Sequence, residues 1–126
     1  MALYSFENVV AWQKAHAFTL SVYTITTGFP KEELYGLTSQ FRRTAVSIEA
    51  NIAEGFKKLS KADKLRFFNI SQGSLEECRN YILLARDLKF ADEEAIHLLY
   101  QQIEQASWFL NKYCQGVLNN NCIKDE

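Results

Sequence analysis

The chain has 126 residues, of which 48% are hydrophobic and 23% charged, and its formal net charge is −1. These values are typical of one globular domain and argue against intrinsic disorder. One proline and five glycines are too few for a collagen-like or turn-rich β protein, and the near-neutral charge excludes a uniformly basic surface.

The first predicted helix covers residues 7–27 and ends at Gly28 followed by Pro30, a common helix-stop pattern. Its interior is ambiguous, because residues 18–22 alternate with period two and include β-branched side chains, which locally favours a strand. The length of the segment and its helical neighbours favour a helix.

The second predicted helix covers residues 38–54, with Gly55 as the expected residue just past its C-terminus. Its apolar side chains recur at steps of four, three and four residues, which is typical of one face of a helix. They are Phe41, Ala45, Ile48 and Ile52.

The third predicted helix covers residues 60–88 and begins at Ser60, a weak match to a capping box with Asp63. Gly73 inside it would allow another helix to approach closely. Its apolar residues form two stripes, of which we expect one to face the bundle core and the other to face a further partner. The first stripe is Leu65, Phe68, Leu75 and Ile82, and the second is Phe67, Ile70, Cys78, Ala85 and Leu88.

The fourth predicted helix covers residues 92–118 and has the clearest periodicity, a heptad seam at steps of three and four. The seam is formed by Ile96, Leu99, Ile103, Ala106, Leu110, Tyr113 and Val117. Acidic side chains near the N-terminus of a helix interact favourably with its dipole, and this helix begins with Asp92, Glu93 and Glu94.

Four such helices joined by short loops predict an all-α fold, an antiparallel up-down four-helix bundle over residues 1–118. We expect residues 119–126 to form a flexible C-terminal tail.

The N-terminus and the cysteines predict a cytoplasmic location. Glu7 lies where a signal peptide would be apolar, and the longest uncharged stretch, residues 15–30, is too short and polar to span a bilayer. Cys78, Cys114 and Cys122 are odd in number and lack CxxC spacing. This pattern indicates reduced thiols rather than a disulfide framework or a zinc site.

Several short segments, in the same order, resemble the bacterial four-helix-bundle proteins encoded in 23S rRNA intervening sequences. That family also includes the accessory variability proteins of diversity-generating retroelements. The run from residue 35 to residue 55 is the most specific part. The matching segments are FEN at residues 6–8, WQK at 12–14, FPKEELYGLTSQFRR at 29–43, SI at 47–48 and NIAEG at 51–55.

The resemblance implies a bundle that assembles as a ring-like homopentamer and has no known catalytic activity. It also implies nucleic acid and a reverse transcriptase as partners of the retroelement members, whereas the role of the rRNA-insert members is obscure. The chain departs from the family pattern after the third helix, where Lys89 replaces the usual glycine.

The charges are distributed unevenly along the chain. Residues 40–90 carry ten basic and six acidic side chains, whereas residues 91–126 carry two basic and six acidic ones. Five cations crowd the start of the third helix, with only Asp63 opposing them. They are Lys57, Lys58, Lys61, Lys64 and Arg66.

Cations at a helix N-terminus oppose the helix dipole, which invites a functional explanation for this cluster. Free N–H groups surrounded by lysines are suited to a phosphate, so the cluster is our candidate site for the backbone of RNA or DNA. Two alternatives remain: a solvated loop that only maintains solubility, and a scaffold for a protein partner without nucleic-acid binding.

A second polar group lies on the second helix, on the face opposite its apolar seam. It contains Arg42, Arg43, Ser47, Asn51 and Glu54. Because arginine supplies planar, multiple hydrogen-bond donors, we predict a network between helices or subunits. Glu54 is also placed to pair with Lys58 at i+4.

No catalytic residue, metal site or cofactor is expected. The chain lacks the nucleophile-elbow, Walker A and dinucleotide-binding glycine motifs. A di-iron centre needs two Glu-x-x-His elements and a glutamate from each of two further helices. Glu94 and His97 form one such element, whereas His16 follows Gln13 rather than a glutamate.

Overall fold

A computed structural model describes residues 1–119, which form four α-helices and no β-strand. The helices are α1 (Val10–Thr26), α2 (Leu37–Lys57), α3 (Lys61–Asp87) and α4 (Glu93–Leu118), with short 3₁₀ helices at Ser5–Asn8 and Lys31–Glu33. α1 and α3 each pack against α2 and α4. The helices therefore follow one another around a common core as an up-down four-helix bundle. Residues 120–126 of the predicted tail lie outside the described chain, and none of the described helices has the length and apolarity needed to cross a membrane.

The first helix begins three residues later than predicted. The carboxylate of Glu7 accepts hydrogen bonds from the backbone N–H groups of Leu3 and Tyr4 at 2.7 and 2.9 Å, and these bonds, that of Tyr4 most of all, lower the pKa of Glu7. The turn they close is followed by Val9, which is extended and fully buried. The chain therefore makes a separate 3₁₀ turn before α1 starts at Val10.

The ambiguous interior of the first segment is helical. Phe18 and Val22 lie one turn apart and are fully buried. The hydroxyl of Thr19 donates to the carbonyl oxygen of Ala15, and its oxygen also lies 3.2 Å from the carbonyl oxygen of Ala45 on α2. Burial against the neighbouring helices thus outweighs the local preference for a strand.

The predicted seam of α2 is confirmed, and that of α4 is confirmed except at Ile96 and Tyr113, which are half-buried. All four α2 seam residues are fully buried. In α4 the buried face contains Leu99, Ile103, Ala106, Leu110 and Val117, but Cys114 is buried where Tyr113 was expected. Tyr113 is half-buried and packs edge-on against Phe68 of α3, with ring centroids 5.1 Å apart.

The prediction of two separate stripes on α3 is wrong. Its buried face contains Phe68, Ser71, Leu75, Cys78, Ile82 and Ala85. Cys78 and Ala85 therefore share the core with the first stripe, while Ile70 and Leu88 remain exposed. Positions three residues apart differ by only about 60° around a helix. Cys78 and Ala85 therefore fit beside the first stripe on one wide face of α3 that points to the core.

Gly55 does not end α2, contrary to prediction, because the helix continues to Lys57. Instead, Gly55 is buried where α2 meets α3, and a Cβ atom there would lie 2.7 Å from Cε1 of Phe68. Gly73, expected at a close helix contact, has open space around it within the described chain. The close approach of helices is therefore at Gly55.

The turn after α3 closes without the family's glycine. Lys89 takes the left-handed conformation with φ of 61°. Its N–H donates to the carbonyl oxygen of Arg86, and the N–H of Phe90 donates to that of Ala85. This is the hydrogen-bond pattern of a Schellman motif, which usually has glycine at the left-handed position.

Replacing Gly55 by alanine should destabilise the protein by about 1–3 kcal/mol, because the added methyl group overlaps Phe68. Gly73→Ala is the matched control: it adds the same group in open space and should stabilise by about 0.5–1 kcal/mol. Urea unfolding followed by circular dichroism measures both. Equal effects of the two substitutions would contradict the packing described for Gly55.

Lys89→Gly should stabilise the protein by roughly 1 kcal/mol, because glycine adopts the left-handed conformation without the Cβ clash. Lys89→Ala keeps that clash and should change the unfolding free energy by only a few tenths of a kcal/mol. Thermal and urea unfolding of the two variants compare them. If alanine stabilised the protein as much as glycine, the destabilisation at this position would come from the lysine side chain and not from the left-handed backbone conformation.

Candidate nucleic-acid interface

The five predicted cations lie at one corner of the bundle, where α2 ends and α3 begins. We call Lys57, Lys58, Lys61, Lys64 and Arg66 the basic corner. Lys57 is the last residue of α2, and Lys61 is the first residue of α3. Only residues 58–60 connect the two helices, so the turn brings cations from two helix ends together.

Two lysines of the basic corner hold the carbonyl ends of other helices. Nζ of Lys64 donates to the carbonyl oxygen of Phe56 in the last turn of α2 at 2.6 Å. Nζ of Lys61 donates to the carbonyl oxygen of Leu118, the last residue of α4, at 3.3 Å. The last four carbonyls of a helix lack intrahelical donors and carry its negative partial charge, so both contacts are favourable.

Lys61 and Lys64 lie at the start of α3 as predicted, but they also have these favourable partners on α2 and α4. The spacing of residues in the sequence predicts where a side chain lies on its own helix, but it does not predict which ends of other helices lie next to it. In an up-down bundle, the N-terminus of α3 lies beside the C-termini of α2 and α4. The carbonyls of those two ends offset part of the repulsion among the cations.

Two of the remaining three cations lie over one aromatic ring. Nζ of Lys58 lies 4.9 Å from the ring centre of Phe67, and Cζ of Arg66 lies 4.8 Å from it. Arg66 also forms an exposed ion pair with Asp63 at 3.9 Å, a distance and exposure at which such pairs contribute little. Lys57 is exposed.

Lys57 and Lys58 are the two lysines of the corner that make neither an ion pair nor a hydrogen bond through Nζ within residues 1–119. In particular, the predicted pair between Glu54 and Lys58 does not form. Their ammonium groups are therefore available to an anionic ligand.

The predicted polar network is only partly assembled. The hydroxyls of Ser47 on α2 and Ser74 on α3 are 2.9 Å apart, and the amide of Asn51 donates to the carbonyl and hydroxyl oxygens of Ser47. Arg43 and Glu54 are exposed and form no hydrogen bond or ion pair within the described part of the chain. Ser47 and Asn51 thus connect α2 to α3 without them.

Arg42 contacts α1 instead. Its Nε donates to the hydroxyl of Thr26 at 2.8 Å, and a terminal nitrogen donates to the carbonyl oxygen of Tyr23 at 3.3 Å. The guanidinium also lies over the Tyr23 ring, 4.8 Å from its centre. Arg42 therefore holds the C-terminus of α1, as Lys64 and Lys61 hold those of α2 and α4.

Two polar contacts between helices were not predicted from the sequence. Arg79 of α3 donates two hydrogen bonds, of 2.9 and 3.0 Å, to the carboxylate of Glu104 on α4, which is the main cause of its raised pKa. Nδ1 of His16 lies 2.9 Å from a carboxylate oxygen of Glu49 on α2, and its ring stacks on Trp12. Arg79 and Glu104 are 25 residues apart in the sequence, and His16 and Glu49 are 33 residues apart. No local sequence motif therefore predicts either contact.

The described thiols are poorly suited to nucleophilic chemistry. Burial raises the pKa of Cys78 strongly and that of Cys114 to about 11, so both stay protonated near neutral pH. Cys122 lies outside the described residues. Within residues 1–119, no group of three or more His, Cys, Asp or Glu side chains is placed to hold a metal ion.

Four helices in up-down order, with a basic turn between the second and third, define the class of this protein as a four-helix bundle with a candidate anion-binding corner. The family model of the 23S rRNA-intervening sequence protein matches residues 7–112. The chain belongs to that family, which confirms the resemblance drawn from the segments between residues 6 and 55.

A solved structure has a similar fold. It is a protein of unknown function from the S23 ribosomal protein family of Bacteroides thetaiotaomicron VPI-5482, with 18% sequence identity and a TM-score of 0.74. The match covers 83% of this chain and 98% of that one. At this identity the likeness shows the fold alone. No curated protein matches the sequence significantly.

Proposed function

We propose that this is a non-enzymatic, cytoplasmic, self-associating bundle whose basic corner binds the backbone of RNA or DNA without reading base sequence. The observation that carries the proposal is the convergence of five cations from the adjoining ends of α2 and α3, where the one ion pair that they form within residues 1–119 is that between Arg66 and Asp63. Lys57 and Lys58 have no carboxylate partner there, so a phosphate would meet unpaired ammonium groups. Neutralising phosphates releases condensed counterions, which supplies most of the free energy of non-specific binding.

One corner makes few phosphate contacts, so a single chain should bind weakly. Repeating the corner in an oligomer would raise the overall affinity without any new type of contact. We therefore include self-association in the proposal, with the pentamer that the family resemblance implies. Apolar side chains on α3 and at its C-terminus that are at least 42% exposed support it: Ile70, Leu83, Leu84 and Leu88.

A protein-binding scaffold is the second candidate, and a groove at the other end of the bundle favours it. The groove has a volume of about 820 Å³ and lies between α3 and α4. Leu83, Phe90, Ile96 and Tyr100 contribute apolar and aromatic surface to it. On this alternative, the lysines of the basic corner serve only the helix ends and solubility.

Replacing Lys57 and Lys58 together by glutamate should abolish binding to a DNA duplex and a structured RNA at moderate salt. These lysines hold no carbonyl end, so the fold and the oligomer mass should not change. Fluorescence anisotropy across a salt series gives the affinity. For the unsubstituted protein, log K should fall linearly with log salt, with a slope of about 0.9 per phosphate contact on duplex DNA.

The matched control replaces Lys31 and Lys89 by glutamate, which changes the net charge equally at the opposite end of the bundle. It should bind nearly as well as the unsubstituted protein, and native mass spectrometry should give all three proteins the same multiple of 14.6 kDa. Equal losses in both variants would mean that net charge, and not the corner, governs binding. No binding by the unsubstituted protein at low salt would favour the scaffold.

A further inference from the structure

An isolated leucine stands at the tip of the basic corner. Leu59 is the middle residue of the connection between α2 and α3, and it is 99% exposed. Lys57 and Lys58 precede it, and Lys61 follows two residues later. A fully hydrated apolar side chain therefore projects from among three cations.

The connection holds Leu59 outward with little freedom. The N–H of Lys58 donates to the carbonyl oxygen of Gly55, which closes α2. The hydroxyl of Ser60 accepts from the N–H of Asp63, and the Ser60 carbonyl accepts from that of Lys64. Because the residues on both sides are fixed as helix caps, little conformational entropy is lost when a ligand covers Leu59.

The two aromatic rings that the basic corner contacts, Phe56 and Phe67, are half-buried and already have cations over them. Lys58 and Arg66 lie over Phe67, and Lys64 lies 5.6 Å from the ring centre of Phe56. Proteins that bind single strands usually stack bases on exposed rings. The corner thus lacks that feature, although it has the cations that any nucleic acid would need.

We propose, building on the nucleic-acid function above, that the corner takes duplex DNA and that Leu59 is an apolar wedge in its minor groove. The side chain enters between two base pairs and partly unstacks them, while Lys57 and Lys58 contact phosphates beside it. Leucine is among the side chains that act as such wedges, and pyrimidine–purine steps open most easily.

An anionic membrane is a weaker match for this tip. Binding at a lipid surface scales with the apolar area that is buried, and Leu59 is flanked by lysines and a serine rather than by other apolar side chains. The wedge needs only one leucine, because the base pairs provide the apolar surfaces on both sides of it.

The experiment uses a DNA duplex with 2-aminopurine beside a central TA step, and a single strand of the same sequence. The full-length protein should bind the duplex more tightly and raise the 2-aminopurine fluorescence. Leu59→Ala should abolish that rise and weaken duplex binding about tenfold, with an unchanged salt slope because the lysines remain. Leu34→Ala, which truncates a half-exposed leucine at the opposite end, should have no effect.

Three outcomes would overturn the wedge. If Leu59→Ala binds and unstacks the duplex like the unsubstituted protein, the wedge is wrong while the proposed function survives. Tighter binding to the single strand would overturn the choice of duplex. If the unsubstituted protein binds neither nucleic acid but does bind phosphatidylglycerol vesicles in a Leu59-dependent way, both the wedge and the proposed function fail.

Discussion

Three of the four helices end against a basic side chain that comes from another helix. Arg42 of α2 holds the C-terminus of α1, and two lysines of α3, Lys64 and Lys61, hold those of α2 and α4. α3 ends in its own Schellman turn at Lys89. These contacts satisfy carbonyls that a helix cannot satisfy internally, and they fix where each helix stops relative to its neighbours.

The basic corner follows from that constraint. Because α3 supplies two of the capping lysines, its first turns must be basic. The carbonyl oxygens at the C-termini of α2 and α4 stabilise this positive charge. Lys57 and Lys58 cap no other helix and form no ion pair within residues 1–119. Lys57 lies in the last turn of its own helix, where a cation is favourable, and Lys58 lies over Phe67. This division separates the lysines that cap other helices from the candidate ligand-binding lysines within one cluster.

Sequence periodicity was sufficient for much of the fold. The seams of α2 and α4 follow from steps of three and four residues, and the segments from FEN to NIAEG indicated the family. Periodicity indicated that Cys78 belongs to an apolar stripe, and it is buried in the core. Periodicity could not show that Gly55 leaves room for Phe68, because that contact depends on the position of a neighbouring helix. The candidate site was visible as a charge cluster. The capping roles of Lys61 and Lys64 could not be predicted, because their partners are carbonyl oxygens at the ends of other helices.

Hydrogen–deuterium exchange of the free and DNA-bound protein tests the central claim most directly, because it maps the contact surface without a substitution. The first backbone N–H groups of α3 have no intrahelical acceptor and should exchange more slowly in the complex, together with those of residues 57–60. Exchange around Lys31 and Lys89, at the opposite end, should not change. Slower exchange confined to the groove between α3 and α4, with none at residues 57–66, would contradict the account.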